Sequence, residues 1–240
     1  LDYESDTNTV LNQNFGKETL WNYEFGVKSE WFDRRLRVNA SVFHLEWSDL
    51  QLETFFFAVV GDPTSNVQRT INVDAADASG FEVEFASAIT DRLMVSGGLG
   101  YVDTEMTSND FATISGGHNV SLKGEPLPRS PEWTWSMMAE YRWPWAANEL
   151  YVRGEWIYRD EQFSTIEDVT YQQSSGNQTF DDAGNLVAVV PDRSDGFPFV
   201  SPDYHIVNLR AGMIWEKNWE LNLFVNNVFD EDYYTGTGEN

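Results

Sequence analysis

Eight stretches of the chain alternate apolar and polar residues with a period of two. From Trp133 to Trp143 one set is Trp133, Trp135, Met137, Ala139, Tyr141 and Trp143, and the other is Thr134, Ser136, Met138, Glu140 and Arg142. In an extended strand successive side chains point to opposite sides of the sheet, so each set occupies one face. From Leu20 to Trp31 the same rule puts Trp21, Tyr23, Phe25, Val27 and Trp31 on one side and Asn22, Glu24, Gly26, Lys28 and Glu30 on the other. Further strands are predicted at Leu36 to Trp47, Ile71 to Phe85, Leu93 to Val102, Leu150 to Tyr158, Tyr204 to Trp215 and Trp219 to Val228.

Soluble sandwiches and lipocalin-like barrels alternate too, so the period does not decide between them. The tryptophans do. Trp21 and Trp31 share a face ten residues apart, as do Trp133 and Trp143. At roughly 3.3 Å per residue and a tilt of about 40°, that spacing climbs about 25 Å, the height of the apolar band of an outer-membrane barrel with an aromatic girdle at each rim. The connections alternate as well. Phe32 to Arg35, Thr90 to Arg92, Pro144 to Asn148 and Glu216 to Asn218 are short; Leu52 to Arg69, Asp103 to Arg129 and Arg159 to Asp203 are long. Short periplasmic turns and long extracellular loops are the habit of such barrels. The expected fold is therefore all-β, an antiparallel transmembrane β-barrel in the bacterial outer membrane. Within the third long loop, Asp181-Asp182-Ala183-Gly184-Asn185 predicts the turn of a small hairpin.

Composition bounds this reading without changing it. The 240 residues show no break that divides them into two domains. Mean hydropathy is -0.44, and no apolar run approaches the length of a membrane helix, but barrels escape hydropathy because only alternate residues meet lipid. The absence of cysteine excludes disulfides and thiolate metal sites. A net charge of -24 argues against a nucleic-acid partner. The chain opens at Leu1 without a leader, and Leu1 to Thr19 and Thr235 to Asn240 are both loop-like. The expectation is a slice of a larger, exported barrel.

If the apolar face meets lipid, the other lines a lumen. It presents Lys28, Glu30, Arg37, Asn39, Glu82, Glu84, Glu140, Arg142, Arg153, Glu155, Arg159, Asn208, Arg210, Asn222 and Asn226. Of these Glu82, Glu84, Glu140, Arg142, Arg153, Glu155 and Arg210 are candidates for contact with a plug or a permeating solute. The hairpins place Glu140 opposite Arg153 and Glu30 opposite Arg37, pairs that serve register more than transport.

Ligand capture is expected at loop aromatics: Phe55, Phe56, Phe57, Phe111, Tyr171, Phe180, Phe197 and Phe199, with His118. Such rings stack on sugars, aromatic chelators or corrins at little entropic cost; the competing reading is that they pack loops together or insert into lipopolysaccharide. His44, His118 and His205 lack metal-ligand spacing. Asp181, Asp182 and Asn185 are explained as a turn. Gly97-Gly98-Leu99-Gly100 lies within a strand, with no helix after it, and reads as room for neighbouring aromatics or plug backbone. No nucleophile elbow or paired-acid spacing stands out, so neither an enzyme nor a resident cofactor is expected.

The segment from Glu18 to Leu36, followed by Val38 to Gln51, resembles a hairpin of TonB-dependent outer-membrane receptors. Ala78-Ser-Gly-Phe-Glu-Val-Glu-Phe85, Leu127-Pro-Arg-Ser-Pro131 and above all Asn222-Leu-Phe-Val-Asn-Asn-Val-Phe-Asp-Glu-Asp-Tyr-Tyr234 are similar to segments in the same order in that family. The resemblance implies a 22-stranded barrel, of which these would be about eight strands. It further implies an N-terminal plug domain and a final strand, neither present in these 240 residues, and import energised by the TonB complex, most often of a ferric siderophore. Cobalamin, haem or glycan import, a passive porin-like channel and a soluble β-sandwich carbohydrate-binding protein are the competing readings.

Overall fold

The computed structural model describes residues 15–57, 66–107, 111–113, 119–121, 123–163, 176–180, 186–191, 200–215 and 218–233. In chain order the strands are β1 (Thr19–Trp31), β2 (Leu36–Phe57), β3 (Asn66–Ala88), β4 (Leu93–Met106), the short β5 (Phe111–Thr113) and β6 (Asn119–Ser121), then β7 (Trp133–Trp145) and β8 (Asn148–Arg159). They continue as β9 (Gln162–Phe163), β10 (Gly176–Phe180), β11 (Leu186–Pro191), β12 (Val200–Ser201), β13 (Tyr204–Trp215) and β14 (Trp219–Val225). The eight long strands form one sheet in the order β1-β2-β3-β4-β7-β8-β13-β14, every neighbour antiparallel. The short ones pair within the long connections, β5 with β6, β9 with β12 and β10 with β11. The hairpin expected across residues 181–185 is β10–β11; its turn lies outside the described residues. Among the described residues the sheet is open, with β1 and β14 each paired on one side only.

Period-two alternation sets the register. Phe25, Val42, Phe81, Tyr101 and Trp133 fall in one row across five strands on the apolar face. Phe81, Tyr101 and Trp133 have ring centroids 4.6 to 6.0 Å apart. The row continues as Trp135 stacked on Tyr158 at 3.8 Å, with Trp156 and His205 beside them. At the other end of the same face lie Trp31, Trp145, Trp215 and Trp219, all exposed, and Tyr141 against Trp143 at 5.8 Å. Two aromatic girdles with an aliphatic band between them are what a lipid-facing barrel wall requires. Gly97 serves this face: a Cβ there would lie 3.1 Å from the Phe85 ring and 3.3 Å from Met137, so the glycine makes the room for neighbours that its sequence context suggests.

Several boundaries differ from the sequence expectation. β2 does not stop at Trp47, nor does β3 begin at Ile71: Leu52–Ile71 and Phe57–Asn66 are register pairs, so most of the expected loop Leu52 to Arg69 is strand. β4 runs to Met106 rather than Val102. The cause is a reversal of polarity above the upper girdle. On β2, Val38, Ala40 and Val42 are followed on the lipid side by His44 and Glu46, while Phe43, Leu45 and Trp47 turn inward, opposite Gly80, Ala78 and Ala76. Beyond Val42 the outer face of β2 is polar, beside Tyr23 and Trp21 of β1, and its inner face is apolar. Asp49, at φ 56°, adds a kink, held by the Asn72 amide donating to Asp49 O at 2.7 Å. Beyond it Leu50 joins Ala76 and Met106 in a buried apolar cluster, with Trp47, Leu52, Leu127 and Phe163 around it.

One turn is shorter than expected. Trp145 pairs with Asn148, leaving Ala146 and Ala147 as a two-residue turn with Ala146 at φ 55°. Pro144 is thus in β7, but at a level where β4 has already ended, so its missing N–H costs no ladder bond on that side. β14 stops at Val225 and not Val228, because Asn227, at φ 50°, closes a turn: its side chain donates to Glu231 O at 2.9 Å and accepts from Glu231 N at 3.0 Å. That pair of hydrogen bonds explains the second asparagine of the Asn-Asn-Val-Phe-Asp segment.

Candidate functional site

The inner wall is built from the alternate residues that the girdles leave over. Glu30, Arg37 and Ala86 form one row; Lys28, Asn39, Glu84 and Gly98 the next; Gly26, Ser41, Glu82 and Gly100 the third. On the other half, Met94, Glu140, Arg153 and Arg210 share a row, as do Ser96, Met138, Glu155 and Asn208. All seven inner-face candidates therefore lie on one surface. The structure joins them unevenly.

Glu140 is the centre of the denser half and is only 4% exposed although it faces the lumen. Arg153 donates to Glu140 Oε2 from Nε at 2.8 Å and from Nη2 at 2.5 Å, while Arg142 Nε donates to Oε1. Arg142 also donates to Glu149 at 2.8 Å and lies 5.4 Å from the Tyr151 ring centroid. Tyr151 covers Gly212, donates to Glu220 at 2.9 Å and contacts Asn222. A carboxylate shared by two guanidiniums is a charge-assisted, geometrically fixed arrangement. Arg153 reaches Glu155 only at 3.9 Å. This sector of wall is locked by its own pairs.

The other half is looser. Glu30 meets Arg37 and Arg34 at 3.4 Å with both arginines well exposed, and Glu84 meets Asn39 at 3.5 Å. Gly98 beside Glu84 has no side-chain or backbone atom nearer than 3.8 Å to where a Cβ would sit. Glu155, Asn208, Arg210, Phe224 and Asn226 line a small hollow towards the β14 edge.

Sequence reasoning placed both hairpin pairs, Glu140 with Arg153 and Glu30 with Arg37. It missed Glu149, Tyr151 and Glu220. Tyr151 has the parity of Arg153 and Glu155, so the alternation already contained it; Glu149 was hidden by reading the turn too long. Of the capture candidates, Phe55, Phe56 and Phe57 are in the outer end of β2 rather than a loop, opposite Gln68, Val67 and Asn66. Phe111 is in β5, opposite Ser121, and Phe180 in β10, opposite Leu186. His118, Tyr171, Phe197 and Phe199 lie outside the described residues.

On the lipid side, His44 Nδ1 is 2.9 Å from Ser79 Oγ and its Nε2 3.4 Å from Glu46. The backbone around Ser79 is paired in ladders on both sides, so it offers no pair of free N–H groups to stabilise an oxyanion, and the contact reads as a polar clasp above the girdle. Among the described residues no three His, Asp or Glu side chains gather as a metal site would require.

The sequence matches the family model described as TonB dependent receptor-like, beta-barrel, over residues 2–228. It is 23% identical over 96% of this chain to a probable TonB-dependent siderophore receptor, PiuA, of Acinetobacter baumannii, and 26% identical over 92% to the metal-pseudopaline receptor CntO of Pseudomonas aeruginosa. The crystal structure of PiuA superposes with a TM-score of 0.62 at 22% identity, covering 96% of this chain and 27% of that one. The ferric yersiniabactin uptake receptor FyuA of Yersinia pestis superposes with 0.64 at 18%, covering 94% and 27%. The chain spans about a quarter of the length of the curated relatives it matches, 26% and 25%. An open eight-stranded wall, apolar and girdled outside and polar inside, matched over residues 2–228 by one barrel family whose members are transport receptors, leads to one assignment: the chain belongs to the TonB-dependent receptors and forms part of their β-barrel in the outer membrane.

Proposed function

We propose that this wall belongs to a receptor that imports a scarce, bulky nutrient across the outer membrane, driven by the TonB complex, with a ferric siderophore as the leading substrate. The observation that carries the reading is the family match through residues 2–228; relatives named for siderophore and metal-pseudopaline reception support the substrate class. In this reading the chain supplies about eight strands of a 22-stranded barrel. Glu82, Glu84, Glu140, Arg142, Arg153, Glu155 and Arg210 face a plug domain that occupies the lumen. The Glu140 sector gives that plug a preset surface, and the looser Glu82–Glu84 sector leaves side chains free to rearrange when the plug moves. The girdled face meets lipid and lipopolysaccharide. Phe55, Phe56, Phe57, Phe111, His118, Tyr171, Phe180, Phe197 and Phe199 supply rings for capture outside.

The test is radiolabelled-iron uptake in a strain deleted for the full-length gene, under iron limitation with a panel of siderophores. Loss of uptake for one chelate, restored by the gene only when TonB is present, is the expected result. Restoration without TonB would replace the reading by a passive channel, and unchanged uptake of every chelate would remove ferric siderophores as the substrate.

A further inference from the structure

We propose that residues 125–132 act as a keystone that joins the two long extracellular connections, 107–132 and 160–203, at their bases, so that order in one is transmitted to the other. The segment continues the line of β7 above the girdle and is bonded on both flanks. Towards β4, Met106 N donates to Glu125 O at 2.8 Å, Val102 N to Glu132 O at 2.9 Å, and Leu127 N to Thr104 Oγ1 at 3.0 Å. Towards β9, Arg129 N donates to Phe163 O at 2.7 Å. Phe163 in turn pairs with Val200, and Gln162 with the buried Ser201. That pairing continues the β8–β13 register, in which Arg159 meets Tyr204. One backbone bond therefore ties the foot of the second connection to the foot of the first.

Side chains reinforce the tie. Leu127 from the first connection and Phe163 from the second pack on the same cluster of Leu50, Ala76 and Met106, drawn from the outer ends of β2, β3 and β4. Both side chains thus rest on one buried cluster. The sequence suits a wedge rather than a hinge: Pro126, Pro128 and Pro131 restrict the chain and carry no N–H, and the Leu127 and Arg129 N–H groups that flank Pro128 are the ones that bond β4 and β9. Arg129 stands in the left-handed region at φ 60°, where the strand line breaks. The coupling is a property of the wall and does not depend on what the receptor imports.

Hydrogen–deuterium exchange on the full-length gene product in detergent micelles tests it, with Phe163→Ala and, as a variant that leaves the apolar cluster intact, Pro128→Ala. Each is expected to speed exchange by about tenfold at Met106, Gly124, Leu127 and Arg129 and equally at Gln162, Phe163, Val200 and Ser201, while the β1–β2 ladder stays within about twofold. Acceleration confined to one of the two connections, or to neither, would overturn the proposal. If Phe163→Ala fails to insert, the Pro128→Ala profile decides alone, by the same criterion.

Discussion

Glu140 is the residue whose surroundings say most about the wall. Its two oxygens are divided between Arg142 and Arg153 in a nearly solvent-free position. Glu140→Gln keeps the shape but leaves two guanidiniums facing one neutral amide, and is expected to lower the unfolding free energy of the full-length barrel by about 1–3 kcal/mol. Urea titration followed by tryptophan fluorescence measures it; an unchanged midpoint would show the network to be ornamental. Arg37→Gln, at an exposed pair, should change it by less than about 1 kcal/mol. The glycines give a second contrast. A Cβ on Gly97 would stand 2.6 Å from Ser136 O, whereas on Gly98 its nearest neighbour is 3.8 Å away. Gly97→Ala should therefore cost about 1–3 kcal/mol and Gly98→Ala be nearly neutral in the same titration. Residues of this kind were partly legible beforehand. Glu140 and Arg153 follow from one hairpin and its parity, but Glu220 reaches Tyr151 from two strands away, and only the register of three strands reveals that.

At the scale of the strand, sidedness is the property that alternation encodes, and it is the property most directly open to mutation. Met137 and Met138 are neighbours in sequence and opposites in space: Met137 lies on the girdled face against Gly97, Met138 in the inner row with Ser96 and Glu155. Met137→Arg is expected to destabilise by about 2–4 kcal/mol, as a cation at mid-bilayer does, while Met138→Arg should be tolerated within about 1 kcal/mol beside Glu155. Outer-membrane yield and heat-modifiable migration on gels report the difference, and equal effects would refute the assigned faces. Element boundaries were less legible than faces for a physical reason. Sequence alternation was read with a single lipid-facing rule, and β2 obeys that rule only up to Val42. Above it His44 and Glu46 face outward and Phe43 and Trp47 inward, so the alternation inverts while the strand itself continues to Phe57. The strand context of Gly97–Gly100 is visible in sequence, and at Gly97 the expected room for a neighbouring aromatic is taken by the Phe85 ring.

Among the described residues the whole wall differs from its parts in having two unfinished edges. β14 is exposed at every residue from Trp219 to Val225, and β1 at nearly every residue, with Phe25, Leu223 and Phe224 all more than 60% exposed. Each edge presents a row of unpaired backbone groups beside apolar side chains, the combination that recruits further strands. Within a closed barrel those groups are satisfied by neighbours, and closure leaves no edge for a second molecule. The 240 residues expressed alone and refolded into detergent should therefore associate through β1 and β14, whereas the full-length barrel should remain monomeric in the same micelles. Sedimentation velocity separates the outcomes. A monodisperse monomer of the isolated chain, with its β1 and β14 amides protected from exchange, would mean that the eight strands can close on themselves, and the assignment of β1 and β14 as joints to further strands would have to be withdrawn. Blocking one edge tests the same point from the other side: the register turns the Leu223 N–H towards Ala211 and the Phe224 N–H towards the open side, so Phe224→Pro in β14 removes an edge donor and should reduce the association of the isolated chain while weakening assembly of the full-length barrel, since in both cases the edge is where the next strand docks.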